Sequence, residues 1–318
     1  MFILSALDSY HELVNPKFLD AKDSFFERFG AIELYASGRD ALRSILPELK
    51  KYSKRIFIPS YICPSLPKFF SQHFEIVEFS DSPLQLKPEF LETPKACDIV
   101  LAVNYFGNFN SGFWLDFKKA NPEVTLLADH TLAPFSKEAM QSCADITFAS
   151  LRKLLPLPDG AYLKIRGQKP RALALRPTKD CAEFAALALQ AMALKSACLN
   201  GLDIDERIYR KLFLSAEEKL FHKKSASRIS VYSYEILKAL NLGAFLSATQ
   251  EAVEEFFNSK QAAKLPKFAR LSSANTDSAF APIMEFSNAK DLENARLSLL
   301  TKHNRPASFW RNKDFLFF

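Results

Sequence analysis

Short apolar runs alternate with helix-period stretches through the first two-thirds of the chain. Runs of strand length occupy Arg55 to Ile58, Phe74 to Phe79, Asp98 to Val103, Val124 to Ala128, Asp145 to Ala149 and Ala161 to Ile165. Between them, Arg39 to Leu49, Pro64 to Ser71 and Phe113 to Ala120 repeat apolar residues with a helical period. Consecutive Val, Ile and Leu positions predict strands buried on both faces, and the interleaved helices predict a mainly parallel sheet. Ligands in such sheets bind beyond the carboxyl ends of the strands. After about residue 178 the pattern becomes long and helical, over Ala182 to Leu199, Asp205 to Lys219, Ser230 to Leu240 and Gly243 to Asn258. A polar stretch at Ser272 to Ser278 then precedes a strand (Ile283 to Phe286), a helix (Lys290 to Leu300) and a further strand (Pro306 to Trp310). The expected class is α/β, with a mainly parallel central sheet in a large domain and a smaller α+β C-terminal domain. The expected division is an N-terminal segment 1–29 that wraps one of the lobes, a large domain 30–205, and a helical linker with small domain 206–318.

Composition narrows this picture. At 318 residues the chain exceeds one simple core, so two lobes are expected. With 48% hydrophobic and 25% charged residues, wholesale disorder is excluded. The net charge of +6 is mild, and the basic clusters (Lys50–Arg55, Lys164–Arg171, His222–Arg228) are short and lack interleaved aromatics. They read as solvated surface rather than a nucleic-acid face. Five scattered cysteines without a CxxC pair suggest neither a disulfide framework nor zinc, and the scattered histidines give no metal site. MFILSALDSYHE lacks a basic n-region and carries Asp8, unlike a signal peptide. The most apolar helical stretch, Phe184 to Leu194, spans eleven residues, where a membrane span needs about 20. A cytoplasmic protein without membrane contact is expected.

Chemistry concentrates at 144–161, ADITFASLRKLLPLPDGA. Here a buried strand runs into Ser150-Leu-Arg-Lys153, and a Pro-rich turn closes on Asp159-Gly160. A lysine just past a strand end, with a hydroxyl three residues before it, suits covalent capture of a carbonyl. Asp129 follows another apolar run, so both side chains are expected at one edge of the sheet. In YASGRDAL, Ser37 reads as an N-cap with Asp40 imitating a capping box, which leaves the Gly38 and Arg39 N–H groups free to bind an anion. A capped surface helix would carry the same letters.

Together these pieces meet the needs of pyridoxal 5'-phosphate. Lys153 would form an imine, and Asp129 would hold the proton of the ring nitrogen. Gly38, Arg39 and Ser150 would bind the phosphate, and Tyr61 or Cys63 would lie against the ring. Among neighbours, His130 could stack on or bond to a cofactor, or be structural; Asn104, Tyr105 and Phe106 could border the pocket or simply pack.

SGRDAL, IPSYICPS, VNYFGN, LLADHT and FASLRKLLPLPDG stand in the order found in fold-type I pyridoxal-phosphate enzymes, and the chain resembles the DegT/StrS-type sugar aminotransferase family within them. The likeness covers roughly residues 30–165 well and the C-terminal lobe loosely. It implies that Lys153 carries the cofactor, that Asp129 contacts the pyridine nitrogen, and that Ser150 with the Ser37-Gly38-Arg39 turn holds the phosphate. It also implies a homodimer with sites completed across the interface, where Arg228 to Ser233 would reach the neighbour's phosphate. The sequence departs from the family at Ala128, where an acidic residue is usual, and at Leu132, where a polar one is frequent, leaving His130 or Thr131 to substitute. Cys63 aligns with the usual aromatic stacker, and Asp159-Gly160-Ala161 stands where a double glycine is common. The end at Phe318, soon after Trp310, is expected to shorten the C-terminal lobe.

The expected activity is therefore transfer of an amino group from glutamate to a keto-sugar nucleotide. The alternatives are a protein of the same fold that binds without turnover, as a partner subunit, and a pyridoxal-phosphate enzyme of another reaction type, a dehydratase or lyase.

Overall fold

Strands in chain order are β1 (Phe2–Asp8), β2 (Glu33–Tyr35), β3 (Arg55–Pro59), β4 (Glu75–Phe79), β5 (Ile99–Val103), β6 (Thr125–Asp129), β7 (Ile146–Ser150), β8 (Ala161–Ile165), β9 (Ala269–Arg270), β10 (Ile283–Phe286) and β11 (Pro306–Ser308). The helices are α1 (Phe25–Phe29), α2 (Gly38–Tyr52), α3 (Ser65–Phe70), α4 (Ser111–Ala120), α5 (Lys137–Met140), α6 (Lys179–Leu199), α7 (Glu206–Phe221), α8 (Val231–Ala239), α9 (Leu242–Phe257) and α10 (Ala289–Ser298). These come from a computed structural model that describes residues 2–8, 11–171, 176–221, 225–270, 282–300 and 306–308. The polar stretch 272–278 and the end of the strand expected to reach Trp310 lie outside the described residues.

The large sheet has the order β2-β8-β7-β6-β5-β3-β4 among the described residues. Strands β3 to β7 pair in parallel, while β8 runs antiparallel to β7 and β2 antiparallel to β8. This is the mainly parallel sheet that the unbroken apolar runs predict. All five residues of β5 are buried. Ile99 and Leu101 join Leu127, Leu42 and Ile45 in one core, while Val100 and Ala102 join Leu126, Ala128 and Trp114 in another. Both faces are thus covered, by α2 on one side and α4 on the other. Each fully buried aliphatic side chain contributes roughly 1.5–3 kcal/mol.

The expected strand and helix positions match the observed ones to within a few residues. Three strands are additions, β1, β2 and the two-residue β9. Residues 33–35 form the sheet edge beside β8, and Phe2–Asp8, within the N-terminal segment, is a strand. It pairs with β10 and β11 in an antiparallel sheet of order β11-β1-β10-β9, and Met284 and Phe286 of β10 pack with Leu292 and Ala295 of α10 and with Leu299 at its C-terminal cap.

One helix corrects an expectation. The apolar stretch placed at Phe184 to Leu194 belongs to a 21-residue helix, α6, long and apolar enough by composition to cross a membrane. In this fold it packs along α7 instead. Phe184, Ala188, Ala191 and Met192 meet Tyr209, Phe213, Ala216 and Leu220. Asp180, Glu183 and Lys195 interrupt it, as suits a core helix with a polar side.

Candidate functional site

The carboxyl ends of β6 and β7 are tied together by one threonine. Asp129, paired in register with Phe148, ends β6, and Ser150 ends β7. The Thr131 N–H donates to Asp129 Oδ1 at 2.9 Å, and Thr131 Oγ1 accepts from the Ser150 N–H at 3.1 Å. A hydrogen-bonded chain therefore links the carboxylate of one strand to the hydroxyl-bearing residue of the next. Asp129 is 7% exposed. Burial pushes its carboxyl up to about 6, against the lowering effect of the Thr131 hydrogen bonds. At neutral pH it is ionised and buried and, among the described residues, hydrogen-bonded by Thr131 alone.

The start of α2 meets the same edge. Gly160 N–H donates to Ala36 O at 2.8 Å and Gly160 O accepts from Leu151 N–H at 2.9 Å, so the segment before α2 lies beside the residue after Ser150. Gly160 has φ +135°, in the region that favours glycine, and a Cβ there would stand 3.2 Å from Ile229. A Cβ built on Gly38 would lie 3.6 Å from Phe148 and 3.9 Å from Ser150 Cβ, which places the helix terminus directly over the β7 end. Ser37 is the N-cap, as expected: its hydroxyl accepts from Asp40 N–H at 3.2 Å and donates to the Asp40 carboxylate at 2.7 Å. That hydroxyl is committed inside the helix. The Gly38 and Arg39 N–H groups precede the first intrahelical bonds, and they stand beside Ser150 at this edge.

Lys153 closes a single 3-10 turn, Leu151–Lys153, straight after Ser150. The residue is exposed to solvent, yet enough protein surrounds it to desolvate the amine in part. Burial and the Arg152 charge push its ammonium below the usual range, with Glu217 opposing, and Cys63 and Arg39 also act on it. Its carbonyl faces His11 Nε2 at 3.4 Å. Arg152 pairs with Glu217 at 2.7 Å and stacks over Phe184 at 5.3 Å.

His130 takes the other side of the sheet. Its N–H donates to Phe148 O at 2.9 Å, so the ladder continues past Asp129 and successive side chains alternate faces. Its ring is fully buried, with Asn104 Nδ2 donating to Nδ1 at 2.9 Å, Ser142 Oγ 3.5 Å from Nε2, and Phe109 at 5.1 Å. Burial pushes it down to about 3. Asn104 is occupied there too, accepting from Gly107 N–H and donating to Ser136. Tyr61 lies edge-on to Tyr105 at 5.7 Å, and its carbonyl accepts the Tyr105 hydroxyl at 2.7 Å. Half-buried Cys63 meets Ser65 Oγ at 3.2 Å. The structure thus gathers Gly38, Arg39, Cys63, Asp129, Thr131, Ser150 and Lys153 along one edge, while His130 turns away and Ser37 caps.

Two features were missed by sequence reasoning. Glu217, from α7, acts electrostatically on both Lys153 and Arg39. Its signal was faint: it stands four residues after Phe213 and one after Ala216, a carboxylate on the helix's buried stripe. Asp159 is fully buried and accepts from the Ser230 N–H, the Ser230 hydroxyl and the Ser233 hydroxyl. It anchors the Arg228 to Ser233 segment on the same chain, where Arg228 also bridges to Tyr35.

No family model matches the sequence, and no curated protein matches it. Solved structures do. The aminotransferase TlmJ from Streptoalloteichus hindustanus is 13% identical, with 91% of this chain and 75% of that chain covered at a TM-score of 0.51. Spr1654 from Streptococcus pneumoniae, provisionally described as a sugar aminotransferase and solved in its apo form, is 12% identical over 90% of this chain and 77% of its own, at a TM-score of 0.50. This likeness establishes the fold, the α/β architecture that those two structures share with this chain.

Proposed function

We propose that this chain is a pyridoxal-phosphate-dependent aminotransferase, with Lys153 as the lysine that holds the cofactor. The observation that carries the reading is the Asp129–Thr131–Ser150 hydrogen-bond chain, which sets a buried carboxylate, a hydroxyl and a reactive lysine on one sheet edge below a helix N-terminus.

The residues fit the group. Asp129 is ionised at neutral pH in a buried place, where a protonated ring nitrogen would satisfy it by a charge-assisted hydrogen bond. The Gly38 and Arg39 N–H groups and the Ser150 hydroxyl suit a phosphate. When bound, the cofactor supplies an electron sink for the carbon that carries the amino group. Asp129 keeps the ring nitrogen protonated. The Lys153 amine, its proton loosened by burial and by Arg152, is able to act as base and acid at the substrate's Cα. Tyr61 and Cys63 border the ring's place from the turn after β3.

Glutamate as donor, a keto-sugar nucleotide as acceptor, a homodimer and a cytoplasmic setting belong to the same proposal; the resemblance of the five motifs supports them. The test is spectroscopic. Protein mixed with pyridoxal phosphate should turn yellow, borohydride should fix the cofactor on Lys153, and glutamate should then convert the spectrum of untreated protein. Protein that stays colourless, with Lys153 unmodified, overturns the reading. Colour that glutamate leaves unchanged would instead favour cofactor binding without this turnover.

A further inference from the structure

We propose that Glu217 is a positioning residue for Lys153, acting through Arg152, which it holds in one place beside the lysine. The proposal rests on the reading of Lys153 as the reactive amine, and nothing in that reading uses α7.

The geometry is specific. Arg152 is gripped on two sides: its Nη1 is 2.7 Å from Glu217 Oε1, and its guanidinium lies 5.3 Å over the Phe184 ring of α6. Its side chain is 16% exposed and that of Glu217 32%, so solvent screens the pair only partly. Arg152, Glu217 and Phe184 line a small cavity with His11, Met192 and Phe213, behind the lysine turn. The helical layer formed by α6 and α7 is thereby fastened to the turn that carries Lys153.

Four groups act on that amine. Arg39 comes from α2, Cys63 from the turn after β3, Arg152 from the lysine's own turn and Glu217 from α7. Arg39 and Arg152 disfavour an ammonium at Lys153; Glu217 favours it. The same cations, against the effect of burial, hold the Glu217 carboxyl below its ordinary range. A lysine facing two unopposed guanidiniums would lose its proton too readily to return it as an acid. Glu217 offsets them, and by fixing Arg152 it keeps the offset constant.

The test uses the full chain without cofactor and reads the amine directly. Acetic anhydride labelling of Lys153, followed by peptide mass spectrometry across pH, reports the fraction of free amine. In Glu217→Gln the labelling rate at pH 7 should rise roughly threefold or more, with the midpoint of the profile moved to lower pH. In Arg152→Met it should fall, with the midpoint moved higher. Glu217→Asp should restore a profile close to that of the parent. A purely structural ion pair would move both variants the same way or leave the midpoint alone, and either result overturns the proposal. Should Glu217→Gln not fold by circular dichroism, the Arg152→Met and Glu217→Asp profiles decide it alone. Because no cofactor is present, labelling that shifts as expected in a protein that never turns yellow sinks the aminotransferase reading only.

Discussion

Asp129 and His130 are adjacent, both titratable and both buried, yet they sit on opposite faces of one sheet and are treated in opposite ways. His130 is surrounded by partners from its own fold, Asn104, Ser142 and the Phe109 ring. Among the described residues the Asp129 carboxylate has one, Thr131, and it ends at the edge where Ser150, Gly38 and Lys153 converge. A buried polar group with a full set of internal partners stabilises a fold. One with an incomplete set leaves capacity for a ligand. The contrast separates scaffold from site within two residues.

Their effects on stability oppose each other as well. The folded Asp129 carboxyl titrates at about 6 against an ordinary 3.8. Between those values the folded state holds a proton that the unfolded state lacks, so stability falls as pH rises through the window and stays lower above it, by about 3 kcal/mol. His130 titrates at about 3 against 6.5. Below 6.5 the unfolded state takes a proton that the folded state refuses, so stability falls as pH drops toward 3, by up to about 5 kcal/mol.

Five substitutions sharpen or break this comparison. Lys153→Ala should abolish borohydride fixation of the cofactor completely, read by intact mass; fixation at another lysine would move the site. Asp129→Asn should lower turnover roughly 100- to 1,000-fold, while the cofactor-free protein gains stability at pH 7. That gain should shrink as pH falls from 6 toward 4 in urea titrations and vanish below about pH 3, where wild-type Asp129 is protonated in both states. His130→Gln should do the reverse, losing roughly 1–3 kcal/mol at pH 7 by leaving Asn104 and Ser142 imperfectly paired, yet still fixing cofactor at Lys153. Loss of fixation there would mean that the His130 side reaches the site after all. Ser150→Ala should weaken cofactor affinity about tenfold with little change in melting temperature, one hydrogen bond to an anion being worth about 1.4 kcal/mol. Thr131→Val should be the mildest, destabilising by about 1 kcal/mol or less through the unpaired Ser150 N–H, and raising the pH at which Asp129 titrates, as followed by carboxylate infrared absorption.

Much of this was legible in the letters. The unbroken apolar runs at β5, β6 and β7 could be buried only on both faces, and their ends place Asp129 and Ser150 at one edge. Ser37 and Asp40 marked the start of α2 because a capping pair is a local signal. What stayed hidden depended on distant partners. β2 has three residues, too few for a period to show. β1 gains its meaning from pairing Phe2 with Phe286, at the other end of the chain. Buried Asp159 holds Ser230 and Ser233 from some seventy residues away, a partnership that no local spacing shows.

The sequence by itself determined which residues could do chemistry and which strand ends they follow, because burial period and caps act over a few residues. Which of two neighbours faces the site was settled by the sheet: the ladder carried past Asp129 turns His130 to the Phe109 side. That Glu217 stands against Arg152 was settled by the packing of α7 on α6, since a carboxylate some sixty residues from its partner is brought there by helix contacts and not by local spacing.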